Sequence, residues 1–174
     1  MSLSSHVWSY YRLLFCVCQG GERLETMRRR VYVEAFEEHS NYSSMIFLVH
    51  LVQAFPMPIE CVQTDNGTEF TKRFTKASPN EDLTLFERKL KELGIKHKKI
   101  RPFTPRHNGK VERSHRKDNE RFYATHCFFS FEDFRRQLKR YNYRDYNCLP
   151  MRPLGWKSPK DTLHDFIKHG VTYV

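Results

Sequence analysis

Two short segments carry the residues best suited to chemistry in this chain: Gln63-Thr64-Asp65-Asn66-Gly67-Thr68-Glu69-Phe70, and the stretch from Arg101 to Arg113, RPFTPRHNGKVER, which contains Glu112. The run from Ile59 to Thr64 reads as a strand that Asp65-Asn66-Gly67 breaks. Asp65 is therefore expected at a strand end, where α/β sheets usually expose their reactive groups. Asn-Gly is also the commonest hairpin-turn dipeptide, so the octapeptide alone reads as a plain turn about as readily as a metal ligand. In the second segment a loop stiffened by Pro102 and Pro105 feeds a helix whose first turns present Glu112. A lone acid there ordinarily just complements the helix dipole. His107 could reach a phosphate, although a loop histidine with no second ligand nearby is more often a surface residue.

The elements that must position these residues alternate. Val31, Val33 and Ala35 with their neighbours suggest a strand, and Ser40 or Asn41 can cap a buried helix in which Met45, Ile46, Leu48, Val49, Val52 and Phe55 fall at helical spacing. Pro56 and Pro58 stop that helix. After a polar stretch from Lys72 to Asp82, the stripe Leu83, Phe86, Leu90, Leu93 predicts a second helix closed by Gly94, and Ile95 to Ile100 returns as a strand. Asn108 to about Thr125 reads as a long polar helix. Ser130 caps another, with Phe131, Phe134, Leu138 and Tyr141 facing a core. Strands alternating with helices imply an α/β sheet domain. Trp8, Trp156, Phe128 and Phe129 are expected to pack in the core, because no alternating basic and aromatic pattern surrounds them.

Charge points to the partner. Thirty Lys and Arg against twenty Asp and Glu leave a formal charge of +10 in 174 residues. Between Lys96 and Arg121 there are ten basic residues and three acids, a concentration better explained by phosphate contacts than by a solvated helix face. At helical spacing His115, Arg116 and Asn119 share a face with Glu112. The five cysteines show no C-x-x-C pattern, so neither a disulfide framework nor a zinc site is indicated. No apolar run is long enough to span a bilayer. The expectation is a cytoplasmic protein with no membrane partner.

Taken together, the two acidic segments resemble the pattern TDNGTEF…P-x-x-P-x-x-N-G-x-x-E-R of DDE-type integrases and transposases, both retroviral integrases and those of bacterial insertion sequences. The resemblance covers roughly residues 30 to 165 and continues in Tyr146-Asn147, Arg152-Pro153 and Lys157-Ser158-Pro159. It implies an RNase-H-like mixed sheet flanked by helices, and DNA 3′-end cleavage and strand transfer. It also implies Asp65 and Glu112 as catalytic carboxylates holding Mg²⁺ or Mn²⁺ in a two-metal site. DNA would be contacted by Arg106, His107, Lys110, Arg113, Arg116, Lys117 and Asn119. Element ends and target DNA would be the partners of a homo-oligomer, and the resemblance further implies a bacterial, nucleoid-associated protein with no small-molecule substrate.

The chain departs from that pattern in three places. Asp65 and Glu112 stand 47 positions apart, longer than usual by about the polar stretch Lys72 to Asp82, a surface insertion that is thermodynamically tolerable. Asn119 occupies the position, seven after the glutamate, where many relatives carry Lys or Arg. Most consequentially, residues 1 to 64 contain no aspartate, although the family places its first catalytic Asp on an opening strand. Glu22 and Glu25 lie in a stretch without strand character. The expected division is an atypical segment 1–30, a core-like domain 31–165 and a tail 166–174, with the opening strand missing or replaced unless Arg12 to Cys18 takes its place. The expected function is an integration or transposition domain that is catalytically incomplete; alternatively, a non-catalytic DNA-binding or self-association module on the same fold.

Overall fold

The computed structural model describes residues 9–14, 31–64, 67, 69–70, 83–99, 113 and 115–169. Strand β1 (Ser9–Leu14) runs antiparallel to β2 (Val31–Phe36), in a register that pairs Ser9 with Phe36 and Leu14 with Val31. Helix α1 (Asn41–Ala54) leads to β3 (Cys61–Thr64). Helix α2 (Leu85–Glu92) then crosses to β4 (Lys96–Lys99), which lies parallel to β3 and pairs Cys61 with Lys96 and Thr64 with Lys99. Beyond it come a π-helical turn (Asn119–Tyr123), α3 (Phe131–Tyr141), a second π-helical stretch (Asn142–Cys148) and α4 (Pro159–His169). Among the described residues no helix is long and apolar enough to cross a membrane. Upstream of Arg30 the chain does supply a strand, Ser9–Leu14, which pairs with β2 and approaches β3.

Local signals set the helix ends. Ser40 accepts the Ser43 amide at the start of α1. Thr84 and Glu87 form a reciprocal capping box on α2, and Gly94 closes that helix with φ +68°. Ser130 accepts the Asp133 amide at the start of α3. The phase of α1 differs from the sequence expectation: Ser43, Ser44, Phe47, Leu48 and Leu51 are buried, whereas Met45, Ile46, Val49 and Val52 are half-buried. A helix that is apolar nearly all round has no polar stripe to choose its inward face, so its neighbours choose it. The expected 108–125 helix is also altered, because residues 115–118 are α-helical but 119–123 wind as a π-turn; residues 108–112 lie outside the described set.

Two apolar cores lie on either side of β2. Tyr32 and Phe36 pack on the core formed by Phe47, Leu51, Val62, Phe86 and Leu90, and Val33 and Ala35 on the core formed by Phe122, Phe134, Leu138 and Tyr141. Strand alternation produces this split, since successive side chains leave on opposite faces. The aromatic expectation is corrected in part. Phe128 packs 5.2 Å from Phe122 and 5.0 Å from Phe134, but Phe129 is 80% and Trp156 71% exposed; Trp8 lies outside the described residues. Phe129 immediately precedes the α3 cap and Trp156 sits in a tight turn, so backbone geometry aims both outward against their hydrophobicity.

Candidate functional site

The described frame of the site begins at the last residue of β3. Thr64 is buried, and its hydroxyl lies 2.8 Å from Nε2 of His97 on the neighbouring strand. The other ring nitrogen, Nδ1, is buried without a hydrogen-bond partner and faces Glu87 Oε1 at 3.9 Å. This geometry selects a tautomer. With the hydrogen on Nδ1 the N–H points toward a carboxylate and Nε2 accepts from Thr64, whereas the opposite tautomer would set a lone pair against that carboxylate. Glu87 also accepts from Lys99 Nζ at 2.7 Å and from the Thr84 amide at 3.0 Å.

The far side of the same turn is pinned as well. Phe70 donates its amide to the Gly67 carbonyl, Ser44 on α1 donates its hydroxyl to the Glu69 carbonyl at 3.1 Å, and Thr84 donates to the Phe70 carbonyl at 3.2 Å. A Cβ at Gly67 would fall 2.5 Å from a Glu69 carboxylate oxygen, so the flexible end of that side chain would have to swing aside. Positions 65 and 66 are thus flanked by a buried strand end and a turn tied to two helices.

Burial lowers the pKa of His97, the Lys99 charge adds to this, and Glu87 opposes it. For Glu87, burial alone would raise the pKa. The hydrogen bonds from Lys99 and Thr84 and the charges of Lys99 and His97 together outweigh that and hold it below the usual carboxylate range. Both shifts have the same consequence for stability. A histidine with a depressed folded pKa and a carboxylate with a depressed folded pKa each contribute fully above their unfolded values and lose that contribution as pH falls. The urea midpoint is therefore expected to decline once the pH drops below the ordinary histidine value of 6.5, and again through the carboxylate range. His97→Gln should abolish the first decline and keep the second; a variant that keeps both would show that another group is responsible.

The basic helical segment is built on a buried acid. Asp118 is 4% exposed and accepts the hydroxyls of Tyr141, at 3.2 Å, and of Tyr146. Burial first, then the nearby Tyr146 and Asp118, push the Tyr141 phenol well above its ordinary range. Arg113, His115, Arg116 and Asn119 are exposed. The Arg116 side chain is 74% exposed and reaches Glu120 only at 4.0 Å, whereas Lys117 turns inward, with Nζ 4.4 Å above the Tyr146 ring.

Of the residues expected to do chemistry, Asp65, Arg106, His107, Lys110 and Glu112 lie outside the described residues. Among the described residues no group of three or more His, Cys, Asp or Glu converges to hold a metal. Reading the sequence missed the Thr64–His97–Glu87 chain and the anchoring role of Asp118. The signals were present as the polar Thr64 inside a buried strand and the lone histidine within Lys96-His97-Lys98-Lys99, but neither type specifies a partner 33 positions away.

Residues 93–159 match the family model described as the integrase core domain. The fold is similar to that of the catalytic core domain of BIV integrase, with a TM-score of 0.57 and 19% identity over 85% of this chain and 84% of that one. No curated protein matches. The mixed α/β fold is that of a retroviral integrase core, which is RNase-H-like. The segment 93–159 is thus similar to integrase core domains, and the chain resembles a retroviral integrase core in its fold.

Proposed function

We propose that the core-like domain of residues 31–165 serves metal-dependent DNA cleavage and strand transfer, with Asp65 and Glu112 as the carboxylates that hold Mg²⁺ or Mn²⁺, and that this chain is catalytically incomplete. The observation that carries the reading is the end of β3. Thr64 closes a buried parallel strand, the geometry in which α/β sheets present reactive groups, and position 65 follows it directly. Two carboxylates are hard oxygen donors of the kind these ions take. Bound ions would activate water or a DNA 3′-hydroxyl and stabilise the leaving oxygen. The chain's own contribution is to hold the strand end through His97 and the following turn through Ser44 and Thr84, which ties down the described backbone on either side of positions 65 and 66. The incompleteness rests on the absence of any aspartate in residues 1–64.

DNA is the partner in this reading, held mainly through phosphates by Arg106, His107, Lys110, Arg113, Arg116, Lys117 and Asn119, and the protein acts as a homo-oligomer. Binding is expected to be weakly sequence-specific and steeply salt-dependent. Arg116→Ala should reduce the slope of log K against log salt by about one, the value for one phosphate contact. Lys117→Ala should change it less, because its ammonium lies over the Tyr146 ring. Duplex binding by fluorescence anisotropy across a salt series measures both, and an unchanged slope in Arg116→Ala would remove this segment from the DNA interface.

A further inference from the structure

Trp156 stands out among the described residues because three properties meet in it. It is the one non-glycine residue among them with positive φ, at 62°. Its side chain is 71% exposed, and no aromatic or cation–π contact among the described residues involves it. It also sits in a loop held by its own backbone rather than by packing of the indole. Met151 donates its amide to the Lys157 carbonyl at 3.0 Å, and the amides of Leu154 and Trp156 return to the Met151 carbonyl at 2.9 and 3.1 Å.

The loop is anchored at both ends. Leu154 is buried at 3% exposure. On the other side Ser158 caps α4 by accepting the Asp161 amide at 3.1 Å, and Lys157 Nζ pairs with Asp165 at 2.7 Å. Glycine would satisfy the backbone at 156 without strain, whereas a bulky side chain in the left-handed region is a true outlier. Such outliers persist where the surroundings over-determine them, and they cluster at binding and catalytic sites. Here the strained, rigid turn presents a large flat π face to solvent.

The surroundings select the ligand. Arg152 accepts the Gly155 amide at 3.1 Å through its carbonyl, and its own side chain is exposed with no ion pair among the described residues. Of the eight basic residues from Arg135 to Lys160, Arg135, Arg136, Arg144 and Lys157 have carboxylate partners and Lys160 bonds the Tyr143 hydroxyl, which leaves Lys139, Arg140 and Arg152 without an ion pair among the described residues. The loop reads Met151-Arg152-Pro153-Leu154-Gly155-Trp156-Lys157, in which Leu154 is buried while Arg152, Pro153 and Gly155 are exposed. A protein interface core is depleted of charge around its aromatic anchors. A lone exposed aromatic in a cationic field matches the stacking platforms that take unpaired bases while the cations follow the phosphates. We propose that Trp156, presented by the Met151–Lys157 loop with Arg152 beside it, is a stacking site for an unpaired base of a single-stranded nucleic acid.

The site goes beyond phosphate binding by the 113–119 helical segment, and the two can fail separately. The chain contains two tryptophans, so Trp8→Phe leaves Trp156 as the fluorescent reporter. This protein is titrated with an oligothymidylate of about 15 nucleotides and with an abasic backbone of equal length and charge. The expected result is quenching by the thymidylate and an affinity for it about 5- to 160-fold above the abasic strand, the range that stacking of one base supplies. In the same background, Trp156→Gly should bring thymidylate affinity, read by anisotropy, down to the abasic level, with Tm unchanged or raised because glycine accepts φ 62° without strain. Trp156→Tyr should recover part of the preference.

Equal affinity for the two strands, or thymidylate affinity retained in Trp156→Gly, overturns the proposal and leaves phosphate binding intact. Loss of self-association in Trp156→Gly with the thymidylate preference retained overturns it in favour of a protein interface. If neither strand binds, both readings fall.

Discussion

Phe122→Ala is expected to destabilise the protein by about 3–5 kcal/mol, the range for emptying a fully buried aromatic site. Phe122 is inaccessible to solvent, stacks at 22° on Tyr141 with centroids 4.8 Å apart, and lies within about the same distance of His126, Phe128 and Tyr123, between 4.9 and 5.2 Å. It belongs to the π-turn that follows the basic helical residues and faces α3, so its ring joins the segment carrying Arg113, Arg116 and Asn119 to the rest of the domain. Against a domain stability of roughly 5–15 kcal/mol, the loss is a large fraction of the total. Urea unfolding measures it, with Phe129→Ala as the contrast. Phe129 is 80% exposed, and its removal should change stability by less than about 0.5 kcal/mol. Similar effects at the two positions would mean that the aromatic cluster does not organise this half of the molecule.

The second large effect concerns activity. With Mg²⁺ the chain should show 3′-end cleavage and strand transfer on the order of 10⁴-fold below a complete site, because groups that act as one catalytic unit lose nearly everything when one is removed. In the proposed two-metal site a missing carboxylate withdraws negative charge and coordinating oxygen, so the second ion and its half of the in-line clamp should be poorly held. Oligonucleotide cleavage by this chain and by Glu112→Gln, compared over a range of metal concentrations, should give indistinguishable traces. Robust activity that disappears in Glu112→Gln would reveal a third ligand. Glu34 is a poor candidate, since its carboxylate already accepts from Tyr32 at 3.2 Å and contacts His50 Nδ1 at 2.9 Å, with Arg135 at 3.8 Å. Glu37 is exposed next to β2 and would be the first described residue to replace, with Glu22 and Glu25 as the candidates outside the described residues.

The α/β class, the caps at Ser40 and Ser130 and the helix end at Gly94 were legible in the sequence because each depends on residues within one turn of one another. The inward stripe of α3 was legible for a similar reason: Phe134, Leu138 and Tyr141 are separated from the flanking cations by helical period alone. The order of the two acidic segments was equally a property of the linear chain, and it supports the same class as the fold and the family match. The phase of α1 was not legible, because apolar residues surround the helix and only its neighbours distinguish Phe47 and Leu51 from Met45 and Val49. Nor was the bond between Thr64 and His97, which joins adjacent parallel strands across 33 positions. Asp118 counted in the sequence as one acid diluting a basic run, and only the fold brings Tyr141 and Tyr146 onto it. The lack of an alternating basic and aromatic pattern argued for burial of Trp156, yet a closed backbone turn with positive φ turns the indole outward, since main-chain geometry rather than side-chain hydrophobicity sets the direction in which a loop residue points.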